Sequence, residues 1–299
     1  MPATGGESER RTDKGCERRM RMSGCKALTV VACDMDGTIV DAHNRVSSRL
    51  WELVDALAKR KVRFLLCTGR NYADMRSALP ADRMEEAILL NGALYCDRLG
   101  KTIVQRPMAV DDVRQCVERI RRYSMPILFH CAEDTYVSGD PGRLDACARK
   151  YYGLEKMFPF PLKRIDLAEI RNRNVLKIET MCTDPEMRKS CYAALQQYEL
   201  CQVTHSADHN IEVTGRGVDK GSMLEIVLQR YGKTTAETIV FGDSANDLSM
   251  FQQVSCSCAM ANAPEEVKRQ ASFVTESVEA GGVEAVLERL LLAHMDKDK

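Results

Sequence analysis

No segment of this chain is apolar over the roughly 18 residues that a membrane-crossing helix needs. Its first 26 residues lack the apolar core of a secretory leader and mix acids among their bases, which also argues against a mitochondrial presequence. A disordered extension over 1–26 is expected. Net charge is missing as well: 43 Lys+Arg balance 43 Asp+Glu. Nothing global therefore draws the chain to nucleic acid or an anionic membrane, and an anionic ligand must be held by a local site. The 13 cysteines include no Cys-x-x-Cys, and His205 and His209, four apart in a strand-to-loop context, do not read as a metal pair. Buried reduced thiols are expected, with Cys256 and Cys258 on one face of a strand, which suits a reducing, cytoplasmic setting. Neither Gly-x-x-x-x-Gly-Lys-Ser/Thr nor Gly-x-Gly-x-x-Gly occurs, so the common nucleotide-binding loops are excluded.

What is present is an alternation of short apolar runs with amphipathic stretches. Residues 28–33, 62–67, 87–90 and 238–241 read as buried strands. Val46, Leu50, Leu53, Val54 and Leu57 recur at helical spacing, with Ser47 or Ser48 as a cap. Leu224, Val227, Leu228 and Tyr231 mark a helix ending at Gly232, and Val283, Val286, Leu287, Leu290 and Leu291 mark the last one. Strand–helix–strand order predicts a doubly wound parallel sheet, whose ligands bind beyond the carboxyl ends of its strands. The middle of the chain changes character, with helices over 110–123 and 184–200 and strands at 127–131, 175–181 and 201–204. It reads as an inserted α/β unit over 108–207, between core segments 27–107 and 208–299.

Each core run ends in a polar cluster. Asp34 and Asp36 follow the first strand and can approach one point from one side. They form either a polar turn or a nucleophile paired with a general acid and base. Asp243 and Asp247 follow a later strand and either cap the next helix or join the first pair around a hard cation such as Mg²⁺. Thr68-Gly69 reads as a helix cap or an anion site. Lys220 is either a surface charge or a fixed cation for a phosphoryl oxygen, and Arg70 is a weaker candidate of the same kind. His130, Tyr136 and Arg143 are candidates for contacts to a leaving group.

Taken together, Asp34-Met35-Asp36-Gly37-Thr38, Thr68-Gly69-Arg70, Lys220 and Gly242-Asp243-Ser244-Ala245-Asn246-Asp247 resemble the four ordered motifs of the haloacid dehalogenase superfamily. Asn91-Gly92-Ala93, Val218-Asp219-Lys220-Gly221, Met250 and Ala259-Met260-Ala261-Asn262-Ala263-Pro264 point to its Cof-type (class IIB) branch. The resemblance spans about residues 28–291 and is weakest in the middle, where that branch carries an α/β cap domain. Departures are the N-terminal extension and Ala261, where the branch often has Gly. The resemblance implies a Rossmann-like core and Mg²⁺-dependent hydrolysis of a small phosphomonoester such as a sugar phosphate. Asp34 is then the nucleophile and a metal ligand. Asp36 is the acid and base, with its carbonyl on the metal. Asp243 is a further ligand, with Asp247 in support. Thr68, Gly69, Lys220, Asn246 and the Met35 N–H bind phosphate. A phosphomutase, or a non-enzymatic phosphoaspartate or metabolite-sensing module, is the alternative.

Overall fold

The apolar run after Leu28 forms β1 (Val30–Cys33), buried at all four positions in the computed structural model, which describes residues 28–83, 85–158 and 162–295. The extension expected over 1–26 lies outside the described residues. Helix α1 (Ser48–Ala58) starts where the Ser47 hydroxyl accepts from the Arg49 N–H, and it buries Leu50, Trp51, Leu53, Val54 and Leu57. Next come β2 (Arg63–Cys67), α2 (Tyr72–Ala78) and β3 (Ala87–Leu89). β2 is parallel to β1, and β3 is parallel to β2.

The chain then reverses. Leu90, Asn91 and Gly92 all have positive φ, and β4 (Leu94–Cys96) and β5 (Thr102–Gln105) add on antiparallel. The doubly wound parallel sheet expected is present from β14 to β3, and this hairpin adds an antiparallel edge to it. Three consecutive left-handed residues make a hairpin where a crossover helix was the alternative.

A second unit follows. Its elements are α3 (Val110–Arg121), β6 (Ile127–His130), β7 (Thr135–Ser138), α4 (Gly142–Cys147), β8 (Lys163–Arg164), α5 (Leu167–Ile170), β9 (Lys177–Met181), α6 (Pro185–Gln196), β10 (Cys201–Thr204) and β11 (Asn210–Gly215). The strands form one six-stranded sheet, ordered β10-β11-β9-β6-β7-β8. All its pairs are antiparallel except β7 with β8. Ile127, Phe129, Ile178, Ile211 and Val213 share a core with Val113, Cys116, Val117 and Ile120 of α3 and with Cys191 and Leu195 of α6. The boundary expected at 207 is displaced, because β11 pairs with β9 and β10 and extends this sheet to Gly215. Glu212 and Thr214, alternating with Ile211 and Val213, hide that strand in a sequence scan for continuous apolar runs.

The chain returns with α7 (Lys220–Tyr231), β12 (Thr238–Gly242), α8 (Leu248–Gln253), β13 (Cys256–Ala259), α9 (Glu265–Gln270), β14 (Phe273–Val274) and α10 (Gly282–Met295). The first sheet then reads β14-β13-β12-β1-β2-β3-β4-β5. From β1 the order runs outward through β2 on one side and through β12 on the other. β1 is thus the topological switch point, where a crevice opens past the strand ends. Cys256 and Cys258 pack into the core on the face shared with Cys33, while Ala259 joins the opposite core. The described cysteines are free thiols. Among the described residues no helix is long and apolar enough to cross a membrane.

Candidate active site

Asp34 follows β1 directly, and its N–H donates to the Phe241 carbonyl of β12 (3.0 Å). This places it in the crevice between those strands. The Met35 carbonyl accepts from the N–H groups of Thr38, Ile39 and Val40, closing a tight turn with Gly37 at φ 73. A Cβ on Gly37 would stand 2.2 Å from Asp243 Oδ2, so only glycine lets the two acidic loops meet.

Lys220, the first residue of α7, is fully buried, which removes the surface-charge reading. Asp219 caps that helix through a reciprocal pair with Ser222. The Lys220 Nζ donates to Asp34 Oδ1 (2.6 Å) and Asp247 Oδ1 (2.7 Å). Asp247 Oδ2 accepts from the N–H groups of Asp243 and Ser244, both at 3.0 Å. Asp247 thus tightens its turn and also pairs with Lys220.

Asp34, Asp243 and Asp247 each offer an oxygen within 4.8 Å of the others. Fully ionised, three carboxylates around one ammonium would leave two negative charges in excess. Burial, then Asp247, pushes the Asp34 carboxyl up to about 7 despite Lys220. Burial, with Asp34 and Asp247 beside it, pushes Asp243 up to about 9. Burial opposes the Lys220 charge, but Asp247 and Asp34 outweigh it and raise its pKa. Hard oxygen donors and a two-charge deficit fit one divalent cation. Asp247 spends both its oxygens inside the protein, so Asp34 and Asp243 are the side chains best placed to hold it.

Asp36 stands apart from this cluster. Arg70 grips its carboxylate with two bonds, Nε to Oδ2 (2.9 Å) and Nη2 to Oδ1 (2.5 Å), and also reaches Asn44 Oδ1 (2.9 Å). Arg70, weak on sequence grounds, thus contacts a candidate acid directly. Thr68 does not cap α2, because the Asn71 side chain does. The Thr68 hydroxyl instead accepts from the Arg70 N–H (3.1 Å). The Asn246 Nδ2 donates to Asn91 Oδ1 (3.1 Å), while its Oδ1 accepts from Ser244 (2.7 Å). Asn262 ties the two acidic loops, donating to the Gly37 carbonyl (2.8 Å) and to Asp243 Oδ2 (3.2 Å).

The second unit reaches this site through β9 and β11. The Lys177 Nζ donates to the Gly69 carbonyl (2.8 Å) and to Glu212 Oε1 (2.6 Å). His130 meets this cluster through Glu179 (3.1 Å). Tyr136 packs in the opposite core, and Arg143 bonds the Ser124 carbonyl, so neither approaches the site. His205 and His209 also separate: one packs on Tyr192, the other stacks on Tyr151. Lys177, Glu179 and Glu212 escaped sequence analysis. Their signal was polar residues alternating with apolar ones on strands buried on both faces.

The sequence model of the haloacid dehalogenase-like hydrolases matches residues 31–287. A 5-amino-6-(5-phospho-D-ribitylamino)uracil phosphatase of Bacillus subtilis is 24% identical, over 88% of this chain and 98% of its own. A phosphoglycolate phosphatase of Archaeoglobus fulgidus is 26% identical, over 87% and 96%. A solved structure of a subclass IIB sugar phosphatase superposes with TM-score 0.74 at 20% identity, covering 87% of this chain and 98% of that one, which speaks for a shared fold.

Proposed function

The chain belongs to the haloacid dehalogenase-like hydrolases, as a phosphatase of small phosphorylated metabolites, and on that premise we propose Mg²⁺-dependent hydrolysis of a phosphomonoester through an aspartyl phosphate on Asp34. The observation that carries this reading is Asp34 itself: a buried carboxylate at the switch point of the sheet, bonded to Lys220 and beside Asp243. Its free oxygen is the nucleophile for phosphorus. Lys220 and the N–H groups of Met35 and Gly69, with Thr68 and Asn246, hold the phosphoryl oxygens. Mg²⁺ bound by Asp34, Asp243 and the Asp36 carbonyl, with Asp247 in support, would neutralise charge on the phosphoryl group so that an anionic nucleophile can approach. Asp36 protonates the departing alcohol, then as a carboxylate takes a proton from the water that hydrolyses the acyl phosphate. Residues 108–215 form the cap, which excludes bulk water and contacts the leaving group. The relatives act, by their names, on leaving groups as different as a ribitylaminouracil and glycolate, so they support the chemistry without choosing the substrate.

The test is release of free phosphate from 4-nitrophenyl phosphate with Mg²⁺ present. Stoichiometric phosphate supports hydrolysis. Transfer of the phosphoryl group to a second hydroxyl, with no free phosphate, would favour a phosphomutase.

The Arg70 clamp leads to a sharper expectation. Arg70 is a positioning residue that fixes where the Asp36 carboxyl sits. Arg70→Ala should lower kcat for an alkyl phosphate by about tenfold or more, within the range that general acid catalysis supplies. An aryl phosphate, whose leaving group needs little protonation, should lose less. Equal losses on both esters would remove the link between Arg70 and proton transfer.

A further inference from the structure

Backbone bonds fix the loop after β2 residue by residue. The Thr68 N–H donates to the Ile88 carbonyl (2.8 Å). The Thr68 carbonyl accepts from the Asn91 N–H, and the Arg70 carbonyl from the Leu90 N–H, both at 3.1 Å. These partners belong to the core. The carbonyl between them, that of Gly69, is held from the cap: it accepts from the Lys177 Nζ (2.8 Å).

The Gly69 carbonyl and the Arg70 N–H are the two ends of one planar peptide. At its far end, the Arg70 N–H donates to the Thr68 hydroxyl (3.1 Å). A cation that fixes the carbonyl therefore also fixes the N–H. A hydroxyl has a single hydrogen to give. With the Thr68 oxygen accepting from Arg70, its own hydrogen turns away from that bond, toward whatever acceptor the crevice holds.

Lys177 is itself firmly placed. It is buried, and cross-strand pairing sets it opposite His130, with Glu179 opposite Glu212 on the same face. Its Nζ spends its three hydrogens on the Gly69 carbonyl, Glu212 Oε1 (2.6 Å) and Glu179 Oε2 (3.1 Å). Burial opposes the Lys177 charge, but Glu179 and Glu212 outweigh it and raise its pKa. Glu179 is steadied by His130 (3.1 Å), and His130 by Thr135 (3.1 Å), whose hydroxyl accepts from the Asn71 Nδ2 (3.2 Å). The network thus leaves the core loop at Gly69 and rejoins it at Asn71. A buried ion pair adds little net stability over apolar residues of the same volume. What this one supplies is a rigid donor aimed from the cap at a core carbonyl.

We propose that Lys177 is a positioning residue for phosphoryl transfer: through the Gly69–Arg70 peptide it sets the direction in which the Thr68 hydroxyl donates to the phosphoryl group. This rests on the phosphatase reading above. One residue of the cap then serves the phosphate site and not the leaving group. Removing its ammonium frees the Gly69–Arg70 peptide to turn, and the Thr68 hydroxyl loses its fixed direction.

The experiment measures inhibition by inorganic phosphate, which has no leaving group, together with kcat and KM for 4-nitrophenyl phosphate, in the full-length protein with Mg²⁺. Lys177→Met should raise the inhibition constant of phosphate by about tenfold and lower kcat/KM for the ester at least as much, a part of what outright loss of a phosphoryl donor costs. Lys177→Met combined with Glu212→Gln removes the ammonium together with one of its carboxylates. It should show the same weakening, and it replaces the single variant if that one fails to fold. Thr135→Val breaks the bond to Asn71 but leaves Lys177 on Gly69, and Asn71 still caps α2 through the Asp74 N–H (2.9 Å). Its inhibition by phosphate should stay near the wild-type level. Circular dichroism and thermal melts check that each variant is folded at the assay temperature. Unchanged phosphate inhibition in a folded Lys177 variant, or equal weakening in Thr135→Val, would overturn the proposal and leave Lys177 a structural contact. Absence of phosphate release by the wild type would instead sink the phosphatase reading, and this inference with it.

Discussion

Asp34→Asn should lower the rate of phosphate release by about 10³-fold or more, the order that loss of a nucleophile costs in other enzymes. The amide keeps the shape of the carboxylate and still accepts from Lys220, which retains Asp247 as its ionic partner. The substitution also removes one of three crowded acids, so the variant should fold. Asp36→Asn should cost a similar order by a different route. Its side chain lies on Arg70, away from the acidic cluster. It should therefore keep a Mg²⁺-dependent rise in melting temperature that Asp34→Asn loses. Steady-state phosphate release and thermal melts with and without Mg²⁺ separate the two. A folded Asp34→Asn protein with near-wild-type turnover would exclude an aspartyl phosphate at this position.

The core of this molecule is legible in the sequence because it is built from runs buried on both faces. Val30–Cys33 and Thr238–Gly242 are apolar at nearly every position, and a run of that kind ending in acids leaves few alternatives to a strand at a ligand-binding sheet edge. The bland readings of Lys220 and Arg70 failed for one shared reason: burial is a tertiary property. Lys220 opens a helix whose sequence resembles any other capped start, and only the packing of α7 against the sheet shows that its ammonium has no water to face. The hairpin after β3 carries one turn signal in the sequence, Asn91-Gly92, while the left-handed φ at Leu90 has none. The cap's contribution was hidden more deeply. Lys177, Glu179 and Glu212 alternate with apolar residues along β9 and β11, and the loop carrying Gly69 meets that face through Lys177. A sequence pattern separates polar from apolar faces, and it does not say which polar face another domain will bury.

Removing divalent metal should abolish turnover and also make stability at this site fall as pH rises. In chelator, Asp34 and Asp243 sit at about 7 and about 9, against the ordinary 3.8. Their native forms hold protons that the unfolded chain has already released over that interval. The stability these groups contribute is complete below about 3.8 and is lost as pH rises through about 7 and then about 9. The metal-free protein should therefore lose melting temperature between pH 5 and pH 9. Saturating Mg²⁺ binds the ionised carboxylates, removes the advantage of protonation and should flatten that slope. At about 100 times its dissociation constant, such an ion contributes about 2.7 kcal/mol, enough to move the melting temperature by several degrees in a chain of this size. Other acids, such as Asp55 on Arg83, titrate with the opposite sign, so the informative quantity is the difference from Asp243→Asn. That variant has one crowded acid fewer: in chelator it should be less sensitive to rising pH than the wild type, and Mg²⁺ should stabilise it less. If the two proteins show the same slope in chelator, or if Mg²⁺ stabilises both equally, Asp243 does not hold the metal.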